Sequence, residues 1–267
     1  MIKNDQCGDS SSVYRIGLGF LVGLCVSMVI GCSGAKDLLQ GQTDTALFDQ
    51  GKQYYEQGEY KKALEYFLYL KEHFVRSSYR STARFYAGEC YFAEEEYEDA
   101  AIEYQSFLAF FPNDPDAPAA QYKLGVSYFK QDRGPDRDQT IIHNALTELQ
   151  KVRTSYPDAT EYIQKAAENI REVRQELART EFLIGMFYRQ EKHYKSSNLR
   201  FGYLLKEYAD SPLSGDAVFY QGLNYLDLKQ SEDAKASFLQ LLKQYPENQH
   251  IATAREHLAQ LGVTKTP

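Results

Sequence analysis

Five glycines mark the same point of a repeating pattern. Gly51, Gly88 and Gly125 are 37 residues apart, and Gly185 and Gly222 repeat that interval. An aromatic ring stands three residues before each (Phe48, Phe85, Tyr122, Phe182, Phe219), and a tyrosine three residues after (Tyr54, Tyr91, Tyr128, Tyr188, Tyr225). Twelve residues after four of the glycines comes a small residue (Ala63, Ala100, Ser197, Ala234), and sixteen after comes a ring (Phe67, Tyr104, Phe201, Phe238). Pro112, Pro157 and Pro246 follow. The third unit joins the pattern once eight residues, Asp132 to Gln139 (DRGPDRDQ), are set aside as an insertion. Ala145, Leu149 and Pro157 then fall on the expected places. A fixed period of this size means stacked supersecondary units, each burying its apolar face only against its neighbours. No strand-like alternation competes with the helical spacing.

Each position has a physical reason. Gly, Ala and Ser let the two helices of a hairpin approach closely. The rings fill the space between neighbouring hairpins, and Pro or Asp-Pro ends a second helix. The pattern resembles the tetratricopeptide (TPR) repeat, whose signature is these Gly, Tyr, Ala, Phe and Pro positions. The expected fold is all-α: a TPR superhelix of five helical hairpins at 44–78, 79–115, 116–160, 161–212 and 213–248, with a C-terminal capping helix from Gln249 to Leu261. The fourth unit opens with 30 residues, Glu161 to Gln190, that hold neither Pro nor a turn cluster. As one helix they would be about 45 Å long. Arrays of this kind present a concave face, built mainly from first helices, to extended peptides or partner domains.

The first 31 residues read differently. Lys3 and Arg15 precede the apolar stretch Ile16 to Ile30, about 22 Å as a helix and short for a ~30 Å hydrocarbon core. This fits a secretory signal. It ends Val29-Ile30-Gly31-Cys32, which resembles the bacterial lipobox. The resemblance implies that 1–31 is a lipoprotein signal peptide, that Cys32 is lipidated, and that 32–43 is a tether. Ser33, rather than Asp, after the cysteine implies sorting to the outer membrane. Cys7 and Cys25 belong to the leader, which leaves Cys90 alone in the folded part and excludes a disulfide framework. A lone thiol of this kind is expected to act as a small buried hydrophobe. The net charge of −7, without a basic block, argues against nucleic acid as a partner.

The sequence shows no catalytic or metal constellation. His73, His143, His193, His250 and His257 are dispersed, and no HExxH, CxxC or glycine-rich phosphate loop occurs. The chain is therefore read as a binding protein, not an enzyme, with no cofactor. Glu94, Glu95 and Glu96 fall at a bend, as a solvated turn does. The ring column admits two readings: packing between hairpins, or groove-lining rings (Phe48, Phe85, Tyr122) that hold a bound polypeptide. The 132–139 insertion, polar and of both charge signs, is either a tolerated loop or a contact element.

A lipobox, five such repeats, the Asp132–Gln139 loop and the long helix before Phe182-Leu-Ile-Gly-Met-Phe-Tyr-Arg189 together resemble the BamD family of β-barrel assembly lipoproteins. The resemblance covers nearly the whole mature chain, and the loop with its neighbouring helix is its most specific part. It implies a lipid-anchored protein on the periplasmic face of the outer membrane. Units 1–3 (44–160) would receive the targeting segment of unfolded outer-membrane proteins. Units 4–5 and the capping helix (161–262) would bind the last POTRA domain of the insertase BamA, and accessory Bam lipoproteins are further partners. Partner contacts are implied for Asp132, Arg133, Asp136, Arg137, Asp138 and Gln139. The family's BamA-facing arginine falls at Arg200, eight residues before Tyr208. The first and fourth units depart from the pattern at the closing proline, with Val75 and Ala209 in its place. Other TPR lipoproteins, such as a cell-division coordinator of the Tol–Pal type or a pilotin, are the alternative. An enzyme that uses the array as an adaptor is a third reading.

Overall fold

The computed structural model describes residues 39–132, 134 and 138–263. The leader, Cys32, Arg133, Asp136 and Arg137 lie outside them. The described residues form eleven α-helices and no strand: α1 (Asp44–Glu56), α2 (Tyr60–His73), α3 (Arg80–Ala93), α4 (Tyr97–Phe110), α5 (Ala117–Lys130), α6 (Thr140–Ser155), α7 (Thr160–Gln190), α8 (Tyr194–Glu207), α9 (Ser214–Asp227), α10 (Ser231–Gln244) and α11 (Ile251–Gln260). Each packs on the next in chain order. The result is the expected TPR array of five hairpins, α1–α2 to α9–α10, closed by α11.

The recurring glycines are where the helices of a hairpin touch. A Cβ at Gly51 would lie 2.8 Å from the Phe67 ring, at Gly88 2.8 Å from Tyr104, at Gly185 2.5 Å from Phe201 and at Gly222 2.5 Å from Phe238. In the third unit a Cβ at Gly125 would lie 2.7 Å from Leu149, which places the insertion where the spacing put it. Those five large partners are fully buried, as are Ala63, Ala100, Ala145, Ser197 and Ala234. Each such large side chain stabilises the array by about 1.5–3 kcal/mol.

The turns repeat too. Seven residues after four of the glycines the backbone is left-handed, at Gly58 (φ 77°), Glu95 (62°), Lys192 (62°) and Lys229 (62°). This closes the first helix by returning the next N–H to a carbonyl of its last turn, as in Glu96 N to Tyr91 O at 2.9 Å and Gln230 N to Tyr225 O at 2.8 Å. In the third unit the insertion replaces this turn. Second helices end on an aromatic residue, Phe74, Phe111, Tyr156, Tyr208 or Tyr245. A proline follows three of them.

Helix α7 breaks the regularity. It has 31 residues against 16 in α6, about 46 Å against 24 Å. The two run antiparallel from a short turn. Tyr122 on α5 reaches the first half of α7, with its Oη 2.9 Å from Asn169 Oδ1 and its ring 6.0 Å from Tyr162. Gln139, at the start of α6, accepts from Thr180 Oγ1 at 3.4 Å. The last ten residues of α7 therefore extend past α6, and they form the first helix of the fourth hairpin with α8.

Candidate partner-binding site

Successive first helices are joined by polar side-chain contacts. In units one to three the hub is Glu89, whose side chain is 14% exposed. It accepts from Lys123 Nζ at 3.2 Å, from Tyr55 Oη at 3.5 Å and from the buried Tyr104 hydroxyl. Lys52 Nζ donates to Tyr86 Oη at 2.8 Å and sits 4.3 Å from that ring's centre, while Lys123 lies 4.2 Å from the Phe92 ring. Burial, reinforced by the Glu89 charge, pushes the Tyr55 and Tyr104 hydroxyls well above the usual phenol range, so both stay protonated donors at neutral pH. Phe92 apart, this face is built of hydrogen-bonded amphipathic side chains, able to offer rings and dipoles to a polypeptide.

In units four and five the link is Arg189. It donates to Asn224 Oδ1 and to Asp227 Oδ2 at 3.1 Å, and its guanidinium lies 5.7 Å from the Tyr194 ring centre and 5.9 Å from that of Tyr220. Buried Asn224 donates in turn to Ser197 Oγ at 2.8 Å and to Asn198 Oδ1 at 2.7 Å.

A second polar motif pins first to second helices within hairpins, and sequence reading missed it. Four residues before the glycine and fifteen after it (twenty-three in unit three, with its insertion), units two, three and four carry a pair. These are Arg84–Glu103 (3.5 Å), Gln121–Glu148 (2.9 Å) and Glu181–Arg200 (3.3 Å). The sign of charge is reversed between units two and four. The one signal in the sequence is that both ionic pairs are separated by 19 residues.

The expected site residues fall into three groups. Phe48, Phe85 and Tyr122 are half-buried and engaged with other rings. Phe48 stacks on Tyr79 at 4.6 Å, Phe85 meets Tyr104 and Phe107 at 6.0 and 5.8 Å, and Tyr122 meets Tyr162. Packing, within its own hairpin for Phe85 and between hairpins for Phe48 and Tyr122, therefore uses part of each ring and leaves part of it accessible. Arg200 is 44% exposed and already paired to Glu181. At the ends of the loop, the Asp132 carboxylate accepts from Gly134 N at 3.2 Å, and Gln139 Nε2 donates to the Gly134 carbonyl at 3.3 Å. Asp138 accepts from Thr140 N at 3.0 Å and from its hydroxyl at 2.8 Å. Those two bonds, the backbone one first, hold its carboxyl below the usual range. The Asp138 bonds fasten the loop's end to α6, and the bond from Thr180 to Gln139 ties it to α7. Asp132 and Asp138 also line a cleft of about 830 Å³ with Glu95, Glu96, Glu98 and Asp99. No group of acids, histidines or cysteines among the described residues is arranged to hold a metal, and no described helix is long and apolar enough to cross a membrane.

Residues 40–229 match the family model described as outer membrane lipoprotein. The chain belongs to this family. Residues 216–248 also match a tetratricopeptide-repeat model, which coincides with α9 and α10. The chain is similar to three proteins named outer membrane protein assembly factor BamD. That of Caulobacter vibrioides is 25% identical over 79% of this chain and 70% of its own length. That of Haemophilus influenzae is 26% identical over 72% and 77%, and that of Pasteurella multocida 23% identical over 78% and 85%. Among solved structures, a thermophilic TPR protein of Thermus thermophilus is 15% identical, covering 83% of this chain and all of that one, with a TM-score of 0.37. Membership of the family extends from the start of the array into the last hairpin, across the insertion and the overhang of α7.

Proposed function

We propose that the protein is a scaffold of the β-barrel assembly machinery, held on the periplasmic face of the outer membrane by acyl chains on Cys32. It binds BamA and unfolded outer-membrane proteins to assist their insertion. The observation that carries this reading is the likeness to three assembly factors over 72–79% of the chain. Units 1–3 are assigned to the unfolded substrate, through the Glu89-centred face and the accessible edges of Phe48, Phe85 and Tyr122. Units 4–5 and α11 are assigned to the BamA POTRA domain through Arg200, and the 132–139 loop is a second contact for Bam partners.

The test is crosslinking in cells from the 132–139 loop and from position 200, with identification of the captured proteins. Recovery of a POTRA-bearing barrel protein is expected. Recovery of Tol–Pal or pilus components alone would replace the reading. Arg200 needs a sharper experiment, because it also pairs with Glu181. Arg200→Glu should abolish the crosslink, and adding Glu181→Arg should restore the internal pair without restoring partner capture. If the double swap regains full capture, Arg200 acts only within its own hairpin.

A further inference from the structure

In units two, three and five the residue two places after the recurring glycine (Cys90, Ser127, Asn224) is fully buried. Each lies on a 14-residue first helix that follows a 14-residue second helix, so the preceding hairpin covers it along its length. In unit four the same position is Phe187, which is 59% exposed, and Leu183 one turn earlier is 41% exposed. The cause is the overhang: α6 ends its cover near Thr180. Unit one is the first hairpin among the described residues, and there the matching positions are the exposed polar residues Asp49 and Gln53. The exposed positions are thus polar at the start of the described array and apolar on the overhang.

We propose that the overhang of α7 is a docking face for an amphipathic helix of another protein, one with an acidic flank. The helical shape follows from the fold, since the same ridge is covered by a helix in the three fully stacked units. The charge follows from the rim. Leu183, Met186, Phe187 and Tyr194 border one shallow depression whose charged residues, Arg189 and Lys192, are both cationic. Arg189 is spent on Asn224 and Asp227, whereas exposed Lys192 makes no ion pair among the described residues. Helix α4, which covers α5 in the same role, carries Glu98 and Asp99 in its first turn. This inference stands on helix lengths and exposure and does not depend on the assembly-factor reading.

The probe is a fluorescent peptide of residues 97–110 (YEDAAIEYQSFLAF), stapled on its solvent side so that it is helical. It is titrated with the full mature chain in lipid nanodiscs. Binding should weaken at least tenfold in Phe187→Ala, and should weaken about threefold and lose salt sensitivity in Lys192→Glu. It should be unchanged in Phe110→Ala, which removes a ring 63% exposed in unit two. Melting curves of the variants report that folding is intact. The proposal is overturned by failure of the stapled peptide to bind, by binding that ignores Phe187→Ala, or by equal binding of a proline-broken peptide. Self-association that Phe187→Ala abolishes would also overturn it, by making the occupant a second copy of the chain.

Discussion

The second and fourth hairpins use the same positions under opposite conditions. In the second, Arg84 and Glu103 are 14% and 11% exposed, and Lys71 of the preceding hairpin closes over the same carboxylate. In the fourth, the pair Glu181–Arg200 has no such third member among the described residues, and Arg200 stays 44% exposed. The same contrast holds at Cys90 and Phe187. Covering by a neighbour, rather than residue type, decides whether a given position of this repeat is core or surface. A charge pair that is structural in one unit is free to face a partner in another.

This comparison breaks first at Glu103. Glu103→Ala strands buried Lys71 and the largely covered Arg84 and should cost about 3–5 kcal/mol, whereas Glu181→Ala should cost under about 1 kcal/mol. Denaturant melts of the two variants measure it, and equal losses would refute the distinction. Thiol chemistry sharpens it next. Burial, with the nearby Glu89 and Glu94 charges, pushes the Cys90 thiol up to about 12, so it should resist alkylation near neutral pH. Phe187→Cys, with Cys90→Ala to leave one thiol in the array, should react about a hundredfold faster. Helix contact within hairpins, by contrast, should not depend on cover: Gly88→Leu and Gly185→Leu should each lose about 1–3 kcal/mol through overpacking. A loss in unit two alone would mean that the fourth hairpin is held differently. The smallest effect concerns the turns. Lys229→Gly and Glu95→Gly relieve a left-handed backbone and should raise stability by about 0.5–1 kcal/mol, read as a small rise in Tm.

Much of the array was legible because its rules are local. Gly51, Gly88, Gly185 and Gly222 announce close helix contacts in the sequence, and Leu149 fell into place once eight residues were set aside. The absence of Pro between Glu161 and Gln190 was enough to expect one long helix. The polar network was not legible. Glu89 gains its role from Tyr55, Tyr104 and Lys123, which come from three other helices, and nothing in its own neighbourhood distinguishes it from Glu94 or Glu96. The pairing of Arg200 with Glu181 escaped for a related reason: its counterpart in unit two has the charges exchanged, so a search for recurring residue types passes over it. Phe48, Phe85 and Tyr122 were ambiguous in sequence because a half-buried ring can pack and still stay accessible, and all three are half-buried among other rings.

The uninterrupted span of α7 sets a phase between the two ends of the array. Each residue of an α-helix turns the chain by about 100° and advances it about 1.5 Å. One residue inserted near exposed Gln175 would therefore swing hairpins four and five about a third of a revolution around the axis of α7. Changes of length in this segment preserve the relative orientation of the flanking hairpins only in steps of nearly whole turns, so its length acts as an angular setting as much as a spacer.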